Sequence, residues 1–219
     1  MATATAISPE LQTDERFVLR GVDWKVYDGI RRALENHPTR LSFDGRNIEL
    51  VSPSPIHESY GRMFGCLLSA LALELDIEVR GGRSTTFRRQ DVPRGLEPDD
   101  CYWIQNERAV RGKAEIDLSV DPPPDLAIEI EISRSAVDRL EIYSKLGVPE
   151  IWCFNGEFLR ILRLQPEGAY HEADRSACFP FLDLLGLVPF LGLDPEIGET
   201  SRVRQFVEWL RRCFPHGRP

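Results

Sequence analysis

Apolar and polar positions alternate strictly in one stretch of the chain, Asp125-Leu-Ala-Ile-Glu-Ile-Glu-Ile132. Side chains on a strand point to opposite faces with period two. Leu126, Ile128, Ile130 and Ile132 therefore make an aliphatic face, and Asp125, Glu129 and Glu131 an acidic one. A helical period runs instead through Ile56, Tyr60, Met63, Phe64, Leu67, Leu68, Leu71 and Leu75, which predicts a helix over 56–74. Ser54 is its N-cap and Pro55 its first position. Further helices are predicted over 22–36, capped by Asp23, over 135–146, stopped by Gly147 and Pro149, and over 201–212. Asp44-Gly45 between apolar-rich runs signals a hairpin. Short strands are predicted over 77–80, 85–88, 101–105, 150–154, 158–163 and 169–173, with Gly81-Gly82 as a turn and helical turns over 181–185 and 188–191. Pro122-Pro123-Pro124 delivers the chain stiffly into the acidic strand. Helices and strands in this order imply an α/β (or α+β) fold, a mixed central sheet flanked by helices.

Residues 1–19 read as a disordered lead-in, 20–192 as one domain, and 193–219 as a C-terminal helix packed on that domain. No run of eighteen apolar residues suggests a membrane span, and Met1–Pro9 lacks the basic-then-apolar build of a signal peptide, so a cytoplasmic protein is expected. The five cysteines are scattered, with no Cys-x-x-Cys pair, which excludes zinc-finger and thioredoxin-like readings. A net charge of −8 argues against tight non-specific nucleic-acid binding. The local cluster Arg80, Arg83, Arg88, Arg89 and Arg94 reads either as a phosphate contact or as a solvated loop. Neither a Walker-type loop nor Gly-x-Ser-x-Gly occurs.

The chemistry concentrates on carboxylates. Like charges on one strand face raise one another's pKa and cost stability unless a cation intervenes, and Mg²⁺ or Mn²⁺ is the cation that carboxylate oxygens suit best. The plain alternative is an edge strand with a solvated acidic face. Upstream, Pro98-Asp99 opens a second strand, separated from Glu129 by enough chain for a strand, a loop and a return strand. Neighbouring strands lie about 5 Å apart, so Asp99 and Glu129 can share one divalent ion.

Together these residues resemble the PD-(D/E)XK nuclease superfamily, and at greater length the Uma-two family of candidate endonucleases. The similarity is carried by Val51-Ser-Pro-Ser-Pro-Ile-His57-Glu58, Gly82-Arg-Ser-Thr-Thr-Phe87, Gly95-Leu-Glu-Pro-Asp99, Pro124-Asp-Leu-Ala-Ile-Glu129-Ile, and Arg139-Leu-Glu-Ile-Tyr143 continuing to Trp152. The resemblance implies a restriction-endonuclease-like core and DNA as substrate, and leaves homodimerisation open. It implies Asp99, Glu129 and the Ile130 carbonyl as metal ligands, with His57 positioning water or substrate. Glu131 stands where the superfamily has lysine; period two puts it on the face of Glu129 as a further ligand. The lysine that this family carries on the following helix corresponds to Arg139, one helical turn before Tyr143. Arginine keeps the charge and can clamp a phosphate, but does not readily give up a proton. Lys145 reads as an exposed partner of Glu141.

Three functions follow. The first is a Mg²⁺- or Mn²⁺-dependent endonuclease in which Asp99, Glu129 and Glu131 hold the ion. The second is a catalytically weakened nuclease fold that binds nucleic acid or protein. The third is an oligomerisation module with no metal affinity.

Overall fold

A computed structural model describes residues 13–34, 37–89, 91–132, 134–215 and 217. The chain runs β1 (Glu15–Arg20), α1 (Trp24–Ala33), β2 (Arg40–Phe43), β3 (Asn47–Ser52), α2 (Pro55–Glu74), β4 (Arg80–Gly81), β5 (Phe87–Arg89), β6 (Arg94–Leu96), β7 (Asp100–Trp103) and α3 (Glu107–Val110). It continues through β8 (Leu126–Ile130), α4 (Arg139–Leu146), β9 (Glu150–Phe154), β10 (Leu159–Leu164), β11 (Tyr170–Ala173), a 3-10 helix (Leu185–Phe190) and α5 (Glu199–Cys213).

The strands form two sheets flanked by helices, where the sequence suggested one. The first is antiparallel, in the order β1-β3-β2-β6-β5. The second is mixed, in the order β11-β10-β9-β8-β7-β4; β8 and β9 run parallel and the other pairs antiparallel. Parallel neighbours need a crossover connection, and α4 supplies it. The first sheet was hard to foresee because three of its strands are short or irregular. Glu15–Arg20, expected inside the lead-in, pairs residue for residue with β3 as an edge strand; residues 1–12 of that lead-in lie outside the described residues.

Local signals set most of the elements. Asp23 caps α1 by accepting from Val26 N at 3.0 Å. Ser54 and Pro55 start α2 as expected. Gly45 takes φ +91° in the β2–β3 turn, where Asp44 accepts from the amides of Arg46 and Asn47. Gly147 ends α4 in the left-handed conformation (φ +79°) that a Cβ would disfavour. Several boundaries shift from those expected. The strand expected over 77–80 reduces to Arg80–Gly81. α4 starts at Arg139 rather than Ser135, because buried Glu49 on β3 holds the approach: Ser135 Oγ donates to it at 2.6 Å and Ala136 N at 2.7 Å.

The plain reading of the acidic strand is overturned. β8 lies inside its sheet and every residue of it is buried. Its alternation is real: Leu126, Ile128 and Ile130 pack with α2 and α5, whereas Ala127 packs with Ile142, Tyr143 and Leu146 of α4. Each aliphatic side chain so buried stabilises the strand by about 1.5–3 kcal/mol. That fixes the register and carries Glu129 into the interior on the α4 side.

Candidate active site

Asp99 immediately precedes β7, and the register pairs Asp100 with Ile128 of β8. Asp99 therefore reaches the end of β8, where Oδ2 accepts from Ile130 N at 2.6 Å. His57, on the first turn of α2, sets Nε2 2.9 Å from Asp99 Oδ1 and Nδ1 3.1 Å from Asp14 Oδ2. Arg40, from the start of β2, ion-pairs with Asp99 Oδ1, contacts His57 Nε2 at 3.0 Å and donates to Glu58 at 2.6 Å. Each ring nitrogen thus has a carboxylate beside it, Asp14 at Nδ1 and Asp99 at Nε2. Burial lowers the His57 pKa against the pull of Asp14, which favours the neutral ring. Burial likewise lowers that of Arg40.

Glu129 forms the second half. Its Oε1 accepts from Arg139 NH2 at 2.6 Å and from the Tyr143 hydroxyl. The helical spacing anticipated that Arg139 and Tyr143 share a face, and both meet on this oxygen. Arg139 is committed further: NH1 donates to Ser42 Oγ at 2.5 Å and NH2 to the Glu97 carbonyl at 3.0 Å, while buried Nε has no partner among the described residues. Burial works against its charge, Glu129 more than offsets this, and the guanidinium pKa rises. Burial and then Glu129 push the Tyr143 pKa well up.

His57, Asp99, Glu129, Ile130, Glu131 and Arg139 all line one cavity of about 730 Å³. Asp125 does not join them. Its carboxylate organises the loop after β7, accepting from Ile104 N, Asn106 N and Asn106 Nδ2 at 2.6–2.9 Å. Glu131 lies beyond the end of β8 at the cavity rim, half-exposed and paired with Arg160 at 2.7 Å. Glu141 pairs with Arg94 at 2.9 Å rather than with the expected Lys145.

The five-arginine stretch disperses instead of forming a phosphate patch. Arg80 donates to backbone carbonyls at Val110 and Lys113 and lies over Trp103. Arg83 faces Asp100, Arg88 faces Asp28, Arg89 pairs with Asp91, and Arg94 with Glu141.

Three participants had no usable sequence signal: Asp14, Arg40 and Ser42. Arg40 in particular is one charge before a short strand, indistinguishable from a solvated residue until β2 is placed beside α2.

The donor chemistry suits a hard divalent cation: two buried carboxylates, Asp99 just before β7 and Glu129 on β8, line one cavity with Ile130. Among the described residues no group of three His, Cys, Asp or Glu side chains is arranged to hold a metal. Asp99 and Glu129 are thus the two buried carboxylates that the site offers. Both carboxylates are meanwhile neutralised by arginines.

The fold and site define a class: a mixed α/β protein, two sheets flanked by helices, with a cavity of buried carboxylates and arginines at the end of its central strands. Within that class the chain belongs to the Uma2 family, described as "Putative restriction endonuclease", whose model matches residues 30–194. Among solved structures, the chain is similar to a crystal structure from Anabaena variabilis described as "a putative nuclease belonging to DUF820". The two are 16% identical, with 86% of this chain and 99% of that chain covered, at a TM-score of 0.48. No curated protein matches the chain.

Proposed function

We propose that the protein is a Mg²⁺- or Mn²⁺-dependent endonuclease that hydrolyses phosphodiester bonds of DNA. The observation that carries this reading is the convergence of Asp99, Glu129 and the Ile130 peptide in one cavity, in a chain whose family is described by that activity. Asp99, Glu129 and the Ile130 carbonyl would hold the ion, with Glu131 joining them only if it leaves Arg160. When bound, the ion supplies charge for the scissile phosphate and lowers the pKa of a water nucleophile.

The chain's own residues do the rest. The Ile130 amide fixes one oxygen of Asp99 and leaves the other facing His57 and Arg40. Arg139 and Tyr143 orient Glu129. With its fork occupied by Ser42, Glu97 and Glu129, Arg139 acts in this proposal by positioning a ligand. A direct clamp on phosphate would require it to leave those partners. His57, oriented by Asp14, would offer the substrate side a neutral imidazole.

A second reading has its own support. Arginines on both carboxylates suit a nuclease fold that binds nucleic acid or protein without cutting. Cleavage of supercoiled plasmid and of single-stranded DNA with Mn²⁺, scored against Asp99→Ala, separates the two. We expect the parent to cut well above that background. A parent rate equal to Asp99→Ala on both substrates removes the endonuclease reading and leaves the binding module.

A further inference from the structure

We propose that Arg40 is a built-in counter-ion of the candidate metal position, holding that position in the ion's absence and withdrawing when the ion enters. The inference rests on the metal-assisted reading above and adds a residue to it.

Arg40 NH1 contacts two acceptors at once, His57 Nε2 at 3.0 Å and Asp99 Oδ1. Those acceptors are 2.9 Å apart. Arg40 NH1 thus sits on the Asp99 oxygen that an ion bound there would take.

Arg40 also has a route out. Its NH2 donates to Glu58 at 2.6 Å, and Glu58 is half-exposed. A side chain tethered there can draw NH1 away from Asp99 by rotation and keep an ionic partner. Among the described residues Arg139 has no such exit, because Ser42, Glu97 and Glu129 all hold it inward. Of the two arginines that neutralise the carboxylates, Arg40 is the one built to be displaced. Its occupancy of the position weakens the apparent affinity for the ion by the fraction of molecules in which it has withdrawn. Once withdrawn, the guanidinium remains at the cavity, where a phosphate can meet it.

The test is calorimetric titration of the full chain with Mn²⁺, with melting temperatures measured alongside, for the parent, Arg40→Gln, Arg40→Lys and Arg134→Gln. Arg134 lines the same cavity, so its replacement removes an equal charge without freeing Asp99. Arg40→Gln should bind Mn²⁺ more tightly, on the order of tenfold. It should also melt lower without metal and gain more on adding it. Arg134→Gln should move the affinity less. An Arg40→Gln affinity equal to or weaker than the parent's overturns the proposal. Equal tightening in Arg134→Gln also overturns it, assigning the effect to net charge. Should Arg40→Gln not fold, Arg40→Lys decides. A single ammonium cannot serve Asp99 and Glu58 as the separate NH1 and NH2 do, so it too should tighten binding, and an unchanged affinity sinks the idea. Mn²⁺ binding that Arg40 variants do not strengthen removes this role alone; no Mn²⁺ binding in any variant removes the metal-assisted reading with it.

Discussion

Glu129 and Glu131 stand two residues apart in sequence, yet their surroundings differ completely. Glu129 is buried, with Arg139 and Tyr143 on one oxygen. Glu131 is half-exposed with Arg160. Removing one partner of a buried pair leaves an uncompensated charge, typically about 3–5 kcal/mol. We expect Arg139→Met alone to lose stability on that scale in urea unfolding. The double variant Arg139→Met, Glu129→Gln should lose clearly less than the sum of the two single changes; strict additivity would show that the pair is not coupled. Glu131→Gln should shift stability by less than about 1 kcal/mol, as exposed pairs do. Its metal affinity then reports separately whether Glu131 is a ligand, and an unchanged affinity removes it from the ligand set. Sequence period alone gave the two glutamates the same face; where β8 ends made the difference.

At the scale of elements, the site depends on how α4 is delivered to the sheet. Glu49 of β3 is buried and latches Ser135, Ala136 and Arg16. Glu49→Ala removes one acceptor from each, leaving Arg16 with Asp14 and Ser135 with the Val137 carbonyl, and a hydrogen bond to a charged group is worth about 1.5–3 kcal/mol. We expect a loss of several kcal/mol and faster amide exchange at Ala136; protection at Ala136 equal to the parent's would show that the latch does not hold the approach to α4. On the opposite face of the mixed sheet, α5 packs on α2 through fully buried Phe206. Phe206→Ala should cost about 3–5 kcal/mol. The same helix pair is joined at the surface by Arg211 and Glu74, with two contacts of 2.7 Å. The Arg211 hydrogen bond holds the Glu74 pKa below its ordinary 4.5. A depressed carboxylate contributes stability above its unfolded pKa and loses it as pH falls through the folded one. The melting-temperature gap between the parent and Arg211→Ala should therefore be present at pH 7 and close below about pH 4.5. A gap that persists at pH 3 would assign it to lost packing of the arginine stem.

For the whole molecule, a net charge of −8 coexists with a cavity lined by Arg16, Arg40, Arg134 and Arg160 besides Arg139. Any nucleic-acid affinity is then local. If each of those four meets one phosphate, log K falls with log salt at a slope of about −4 or shallower. Fluorescence anisotropy of labelled DNA with Asp99→Ala, across a salt series, measures it. A much steeper slope would place the main contacts outside the cavity.

Much of this was legible in the chain itself. Alternation placed Glu129 on one face of a strand, capping residues located α1 and α2, and Gly147 ended α4. The ordered motifs around His57, Asp99, Glu129 and Arg139 pointed to the family. These signals are local: period, cap and turn chemistry act over a few residues, so they survive without knowledge of the partner. What the tertiary structure alone decided is which charges meet. Asp125 and Glu129 look alike in sequence, but one organises a loop and the other lies in the cavity. Arg40 and Glu49 come from the first sheet and Asp14 from just before it, remote in sequence from β8. A lone charge beside a short strand has no periodicity to read, because its role is set by long-range packing and by desolvation. Two sheets brought together bury opposite charges side by side; each charge alone would be costly to remove from water, and together they define the site.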